Sequence, residues 1–205
     1  MTSRRDRGFT LLEVLIALSI VGMLLVIAFG GMRVALSAWR QGDDRADVHQ
    51  HIRGVALIVA RGLGAAYPYQ ATRGLSPERV VLFKGAERRV EFVTQVAPFP
   101  LAAPIAFTAV VIALEEGEEP GLVIRERALP NRDPFTETPV VFRDPTVTSL
   151  GLSYMDEGGG WRTEWDGETD QKIPRAVKVT VGTAAGARSY TLPAMTVTLR
   201  SALAQ

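Results

Sequence analysis

The chain has no cysteine among its 205 residues and only two histidines. The first absence excludes a disulfide framework, a thiol nucleophile, a cysteine-based zinc site and a lipoprotein anchor attached through cysteine. The second leaves nucleophile–histidine pairs scarce. A basic excess is also missing, since 23 Lys plus Arg face 22 Asp plus Glu, so the charge that draws a domain onto nucleic acid is not there. No G-x-S-x-G, H-E-x-x-H or Rossmann glycine fingerprint occurs, and Gly158-Gly159-Gly160 is not followed by the lysine and hydroxyl residue of a phosphate-binding loop. These absences disfavour an enzyme and imply no cofactor. A membrane-anchored exported enzyme using acid pairs such as Glu164 and Asp166 stays open.

What is present is segregated along the chain. Apolar residues make up 47% and charged residues 22%, which argues against disorder and against a polytopic membrane protein. The length suits one domain with an appendage. From Val14 to Met32, 19 residues run without a charge, close to the roughly 20 that an α-helix needs to cross a bilayer core. Arg4, Arg5 and Arg7 precede the run with Asp6 as the lone acid. By the positive-inside tendency the N-terminus stays cytoplasmic and the chain after about Arg33 is exported. A cleavable secretory signal would have a shorter apolar region ending in a small-residue site, and none is convincing here. Glu13 breaks the pattern. A carboxylate at membrane depth costs about 2.5–3.5 kcal/mol at a helix centre and less near an end, and it usually has a specific partner.

Helical periodicity continues past the apolar run. Val48, Ile52, Val55, Val59 and Leu63 recur at three- and four-residue spacing, the pattern of an amphipathic helix facing a core. One long helix from about Thr10 to Gly64 is expected, with the polar stretch Arg40 to Arg45 between its halves. Beyond Gly64 the pattern turns to strands. Arg79 to Lys84 and Arg88 to Thr94 flank a turn and suggest a hairpin. Ile105 to Leu114 is apolar and β-branched but too short for a second span. Val177, Val179 and Val181 alternate with Lys178 and Thr180, as in a half-buried strand. Tyr190 to Leu199 supplies a last strand in which Pro193 requires an edge or a bulge. The expected fold class is α+β, a long N-terminal helix, half transmembrane and half amphipathic, packed on antiparallel β-sheet.

The segment Arg7-Gly8-Phe9-Thr10-Leu11-Leu12-Glu13-Val14-Leu15-Ile16-Ala17 closely resembles the class III leader and mature start of type IV pilins and pseudopilins. The resemblance implies cleavage by prepilin peptidase after Gly8, N-methylation of the new terminal residue Phe9, and a partner for Glu13 in the terminal amine of a neighbouring subunit. Paired in the right axial register, two charges that are each costly alone in hydrocarbon offset one another. It divides the chain into a leader at 1–8, a transmembrane helix at 9–32, an amphipathic helix at 33–64 and a periplasmic β domain at 65–205. Leader removal would change the formal charge from +1 to −1.

The later sequence sharpens the resemblance. Leu150 to Tyr154, then Trp161 and Trp165, then Ile173-Pro174-Arg175-Ala176-Val177 look like the closing region of the J-type minor pseudopilins of type II secretion, with Ile173 in place of the family's leucine. For that family the implied role is a subunit of the pseudopilus tip that helps to initiate assembly and secretion of folded exoproteins across the outer membrane. The implied partners are the I- and K-type minor pseudopilins, the H-type as a further one, prepilin peptidase and the inner-membrane assembly platform, with no nucleic acid. Its presence in the inner membrane would be single-pass, with the C-terminal domain periplasmic. K-type members usually lack a glutamate at the place of Glu13, which argues against K. A minor pilin of a type IV pilus has an indistinguishable leader and remains the alternative.

Two further constellations bear weighing. His49 and His51 stand two apart on the expected helix and point about 200° from each other, so they cannot share a metal ion from one face. The loop from Asp156 to Asp170 holds six acids, enough oxygen for calcium. It lacks ordered EF-hand spacing, and a solvated loop with two packing tryptophans is the favoured reading.

Overall fold

The computed structural model describes residues 10–72, 79–99, 106–131, 133–185 and 188–199. Helix α1 spans Leu11–Gly64. It is followed by β1 (Ala66–Tyr67), β2 (Gln70–Thr72), β3 (Arg79–Val81), β4 (Phe83–Ala86), β5 (Arg89–Thr94), β6 (Thr108–Glu115), β7 (Gly121–Ala128) and β8 (Val140–Asp144). Then come β9 (Val147–Met155), β10 (Trp161–Arg162), β11 (Trp165–Asp166), the short α2 (Gly167–Asp170), β12 (Ala176–Ala185), β13 (Arg188–Thr191) and β14 (Met195–Thr198). The fold is α+β and pilin-like, as the sequence implies. Contacts divide the chain into two compact units, Met1–Asp47 and Val48–Gln205.

In the first unit, Leu11–Arg40 is long and apolar enough to cross a membrane, and none of its apolar window is buried. Its two serines bond within the helix: the Ser19 hydroxyl donates to the Leu15 carbonyl at 2.8 Å and the Ser37 hydroxyl to the Val34 carbonyl at 2.9 Å. Such back-bonding lets a hydroxyl exist in a helix without water.

In the second unit the stripe of α1 goes inward. Ile52, Val55, Ala56, Val59 and Leu63 share one core with Phe92 and Val110 of β5 and β6, Leu150 and Tyr154 of β9, and Val177 and Val179 of β12. Val48 is only half-buried. Each fully buried Leu, Ile or Phe contributes roughly 1.5–3 kcal/mol relative to exposure.

Every strand pairing among the described residues is antiparallel. The larger sheet runs β11-β4-β5-β6-β7-β8 with β1 also on β5, and the smaller runs β10-β9-β12-β13 with β14 also on β12. Strand β6 is buried on both faces, which is why it reads as a continuous apolar run and not an alternation. The expected hairpin is present between β4 and β5. Arg79–Val81, however, belongs to β3, which pairs with β2 in a separate two-stranded sheet. The chain passes from one sheet to the other at Leu82, whose N–H donates to the Tyr69 carbonyl at 2.9 Å. The last expected strand is split. Strand β13 pairs with Gly182 to Ala185 and β14 with Ala176 to Val179, and Pro193 lies in the break between them.

One close approach fixes how the two sheets meet. The ring of Tyr154 lies against Gly85, where any β-carbon would collide with it. Its hydroxyl donates to the Ala86 carbonyl at 2.9 Å.

Candidate functional site

The chemistry singled out by the sequence sits at the start of α1. Gly8 and Phe9 lie outside the described residues; Thr10 and Glu13 are described. Glu13 Oε2 accepts from the Thr10 N–H at 2.9 Å and from Thr10 Oγ1 at 3.1 Å, and the Glu13 N–H donates to Thr10 Oγ1 at 3.3 Å. This is a capping box: a hydroxyl residue and a glutamate three positions later satisfy each other's backbone donors. It also places the negative charge at the positive end of the helix dipole. The sequence signal is Thr10-Leu11-Leu12-Glu13 itself, a hydroxyl residue followed three positions later by glutamate just before an apolar run. Glu13 Oε1 has no partner among the described residues, so one oxygen is committed to the local turn and the other is available to a cation.

The two histidines diverge as their spacing requires. The His49 ring meets Tyr190 edge-on at 5.4 Å between centroids. His51 Nε2 contacts Asp144 Oδ2 at 2.7 Å. Asp144 is almost fully buried, and its Oδ1 accepts from Thr146 N at 2.9 Å and Thr146 Oγ1 at 2.6 Å. Burial opposes ionisation of Asp144, but the bonds from Thr146 and His51 outweigh it, and its pKa lies below the ordinary aspartate value.

The acids between Asp156 and Asp170 do not converge. Asp156 Oδ1 accepts from the Gly160 N–H at 2.8 Å, Glu157 pairs with Lys172 at 3.0 Å, and Asp170 lies 3.4 Å from Arg162. Asp166 Oδ1 caps α2 through the Glu168 N–H at 2.9 Å. Among the described residues no group of three or more His, Asp or Glu side chains is placed to hold a metal. The tryptophans serve the loop instead. Trp165 is buried, donates through Nε1 to the Lys172 carbonyl at 2.9 Å and carries the Arg162 guanidinium over its ring at 4.1 Å. Trp161 is half-exposed beneath Lys178. Through β10 and β11 this loop is stitched to both sheets.

The acid pair Glu164 and Asp166 is not assembled into a site either. Asp166 lines an open cleft of about 450 Å³ with Arg89, Glu91 and Asp133, whereas Glu164 is exposed outside it. Arg89 and Glu91 in that cleft are themselves paired at 2.8 Å.

A group that the sequence reading missed is Glu126 on β7. It is 1% exposed; Oε1 accepts from the Phe99 N–H at 2.9 Å, and Oε2 has no partner among the described residues. Burial pushes its pKa above the ordinary glutamate value, with the Phe99 bond pulling partly the other way. The alternation Leu122, Ile124, Glu126 places it on the core face and could have revealed it.

Comparison with known proteins addresses the same two regions. Residues 3–29 match the prokaryotic N-terminal methylation motif, and residues 30–192 match the family described as type II secretion system (T2SS), protein J. A protein named type II secretion system protein J from Xanthomonas campestris pv. campestris is 25% identical over 186 residues, covering 86% of this chain and 87% of that protein.

Proposed function

The chain belongs to the protein J family of the type II secretion system and is a minor pseudopilin, and on that premise we propose that it is a subunit of the pseudopilus tip, where it helps to initiate assembly and the release of folded exoproteins. The family is one of structural components, and membership implies association with other pseudopilins of the system. The type IV pilus alternative is not favoured. The apolar helix and the methylation motif fit a single-pass inner-membrane anchor.

Prepilin peptidase removes residues 1–8 after Gly8, and Phe9 is N-methylated. Residues 9–32 form the membrane helix, 33–64 the amphipathic helix and 65–205 the periplasmic domain. Glu13 is the assembly residue, and the partners are the I- and K-type minor pseudopilins, with the H-type, and the inner-membrane assembly platform. The observation that carries this reading is the state of Glu13. Its Oε2 is held by Thr10 while Oε1 is free among the described residues, so the carboxylate is oriented and still able to receive an amine from a neighbour. In hydrocarbon an ammonium group is a strong partner for that oxygen, and a subunit in the wrong axial register leaves both charges unpaired.

The test is co-purification of the full chain with I- and K-type partners, alongside the mass of the chain produced with prepilin peptidase. The mature mass should lack residues 1–8 and both partners should be retained. A chain that keeps its leader and binds neither partner would overturn the reading.

A further inference from the structure

The uncharged run ends at Arg33, yet the exposed apolar helix does not. Val34 is 69%, Leu36 48% and Trp39 73% exposed, and the span long and apolar enough for a membrane extends to Arg40. We propose that Trp39, flanked by Arg33 and Arg40, is a lipid-headgroup anchor at the outer face of the membrane, so that the embedded helix runs to Trp39 and does not stop at Arg33. The inference rests on the single-pass reading above and moves its outer boundary.

Axial distance carries the argument. Glu13 and Trp39 are 26 residues apart in one helix, a rise of about 39 Å. A bilayer is roughly 30 Å thick across its hydrocarbon and about 40–45 Å with its headgroups. With the helix near upright, Glu13 and Trp39 therefore fall in opposite headgroup zones together. There the carboxylate stays solvated and the indole has both an apolar bed and polar neighbours for its N–H, the placement such rings favour.

Arg33 then lies about 9 Å below Trp39, just inside the hydrocarbon boundary, from which its long side chain can lift the guanidinium to the phosphates. Arg33 and Arg40 are seven residues apart and share one stripe of the helix, about 20° from alignment, so both cations reach the same layer of anionic oxygens. Trp39 continues a different stripe, the apolar one through Leu25 and Met32. A span that stopped at Arg33 would press Glu13 against the hydrocarbon edge and leave the indole standing in water.

The anchor gives the assembly residue a defined starting depth. Glu13 is hydrated at rest and meets hydrocarbon only when the subunit is drawn outward, the moment at which a neighbour's amine becomes valuable to it.

The chain contains no native cysteine, so single cysteines report without background. The experiment places Val34→Cys or Gly42→Cys in the full chain, reconstituted in phosphatidylethanolamine–phosphatidylglycerol vesicles, and compares their labelling by a membrane-impermeant maleimide. Both positions lie toward the same face, so their ratio is independent of insertion direction. Position 42 should label several-fold faster than position 34. Trp39→Ala should raise labelling at 34 several-fold, and Trp39→Tyr should not. Equal labelling of 34 and 42 with Trp39 intact, or no response to Trp39→Ala, overturns the anchor. Protection at 34 that disappears as protein is diluted in lipid also overturns it, because a protein contact and not lipid then covers Trp39. Flotation separates the two levels: a chain that fails to float with vesicles defeats the single-pass reading itself, whereas a floating chain with position 34 open defeats only the anchor.

Discussion

His51 on α1 and Asp144 at the end of β8 meet at 2.7 Å although 93 residues separate them in the chain. Asp144 is the buried partner, and its other oxygen is occupied by Thr146. The contact ties the amphipathic part of α1 to the β8–β9 turn.

Asp144→Asn should therefore destabilise the protein by about 1–3 kcal/mol, the scale for disturbing a buried, hydrogen-bonded charge. His51→Ala should cost less, because His51 is half-exposed. Thermal unfolding of the full chain in detergent measures both. Since the folded pKa of Asp144 lies below its ordinary value, its contribution is complete above the ordinary aspartate range and disappears as pH falls through the lower folded value. The penalty of Asp144→Asn should shrink in acid.

Glu126 has the opposite sign. Its folded pKa is raised by burial, so folding holds the proton more tightly than the unfolded chain does. Stability from this group is present below the ordinary glutamate value and lost as pH rises through the folded one. Glu126→Gln should raise the melting temperature at pH 8 and change it little at pH 4. Equal shifts at both pH values would contradict the assignment.

Two glycines make a paired test of packing. Gly85→Ala forces a β-carbon into the Tyr154 ring and should cost about 1–3 kcal/mol, the range for overpacking. Gly54→Ala meets nothing within 4 Å on α1 and should gain up to about 1 kcal/mol from helix propensity. Chemical denaturation of the two variants should give shifts of opposite direction.

At the membrane end, Glu13→Leu should leave the proposed leader removal after Gly8 intact, because Glu13 lies five residues beyond Gly8, while incorporation into pseudopili and exoprotein release fall steeply. Glu13→Asp should recover part of the function, since the charge remains on a shorter stem. Mass measurement and secretion assays read the two effects independently.

Local pattern made much of this legible in the sequence. The uncharged run, the stripe from Ile52 to Leu63 and the alternation through Val177 and Val181 each depend on neighbours within a few residues, and each is present in the structure. The β4–β5 hairpin was legible for the same reason, but its extension back to Arg79 was not. Nothing nearby announces that Leu82 will bond to Tyr69 and that the chain will change sheets there. The His51–Asp144 contact was equally hidden, because it depends on how α1 crosses the end of β8. Glu126 was readable in principle, yet a carboxylate inside Leu-Val-Ile-Arg-Glu-Arg looks like one more surface charge until the strand period is counted through it.

The prolines at the sheet margins have a further consequence. Pro193 interrupts the rim formed by β13 and β14, and Pro139 and Pro145 bracket the outermost strand β8. A ring nitrogen cannot donate to an incoming strand, so these margins are poor templates for runaway strand stacking. A β domain with such margins is protected from zippering sideways, edge to edge, into insoluble ribbons.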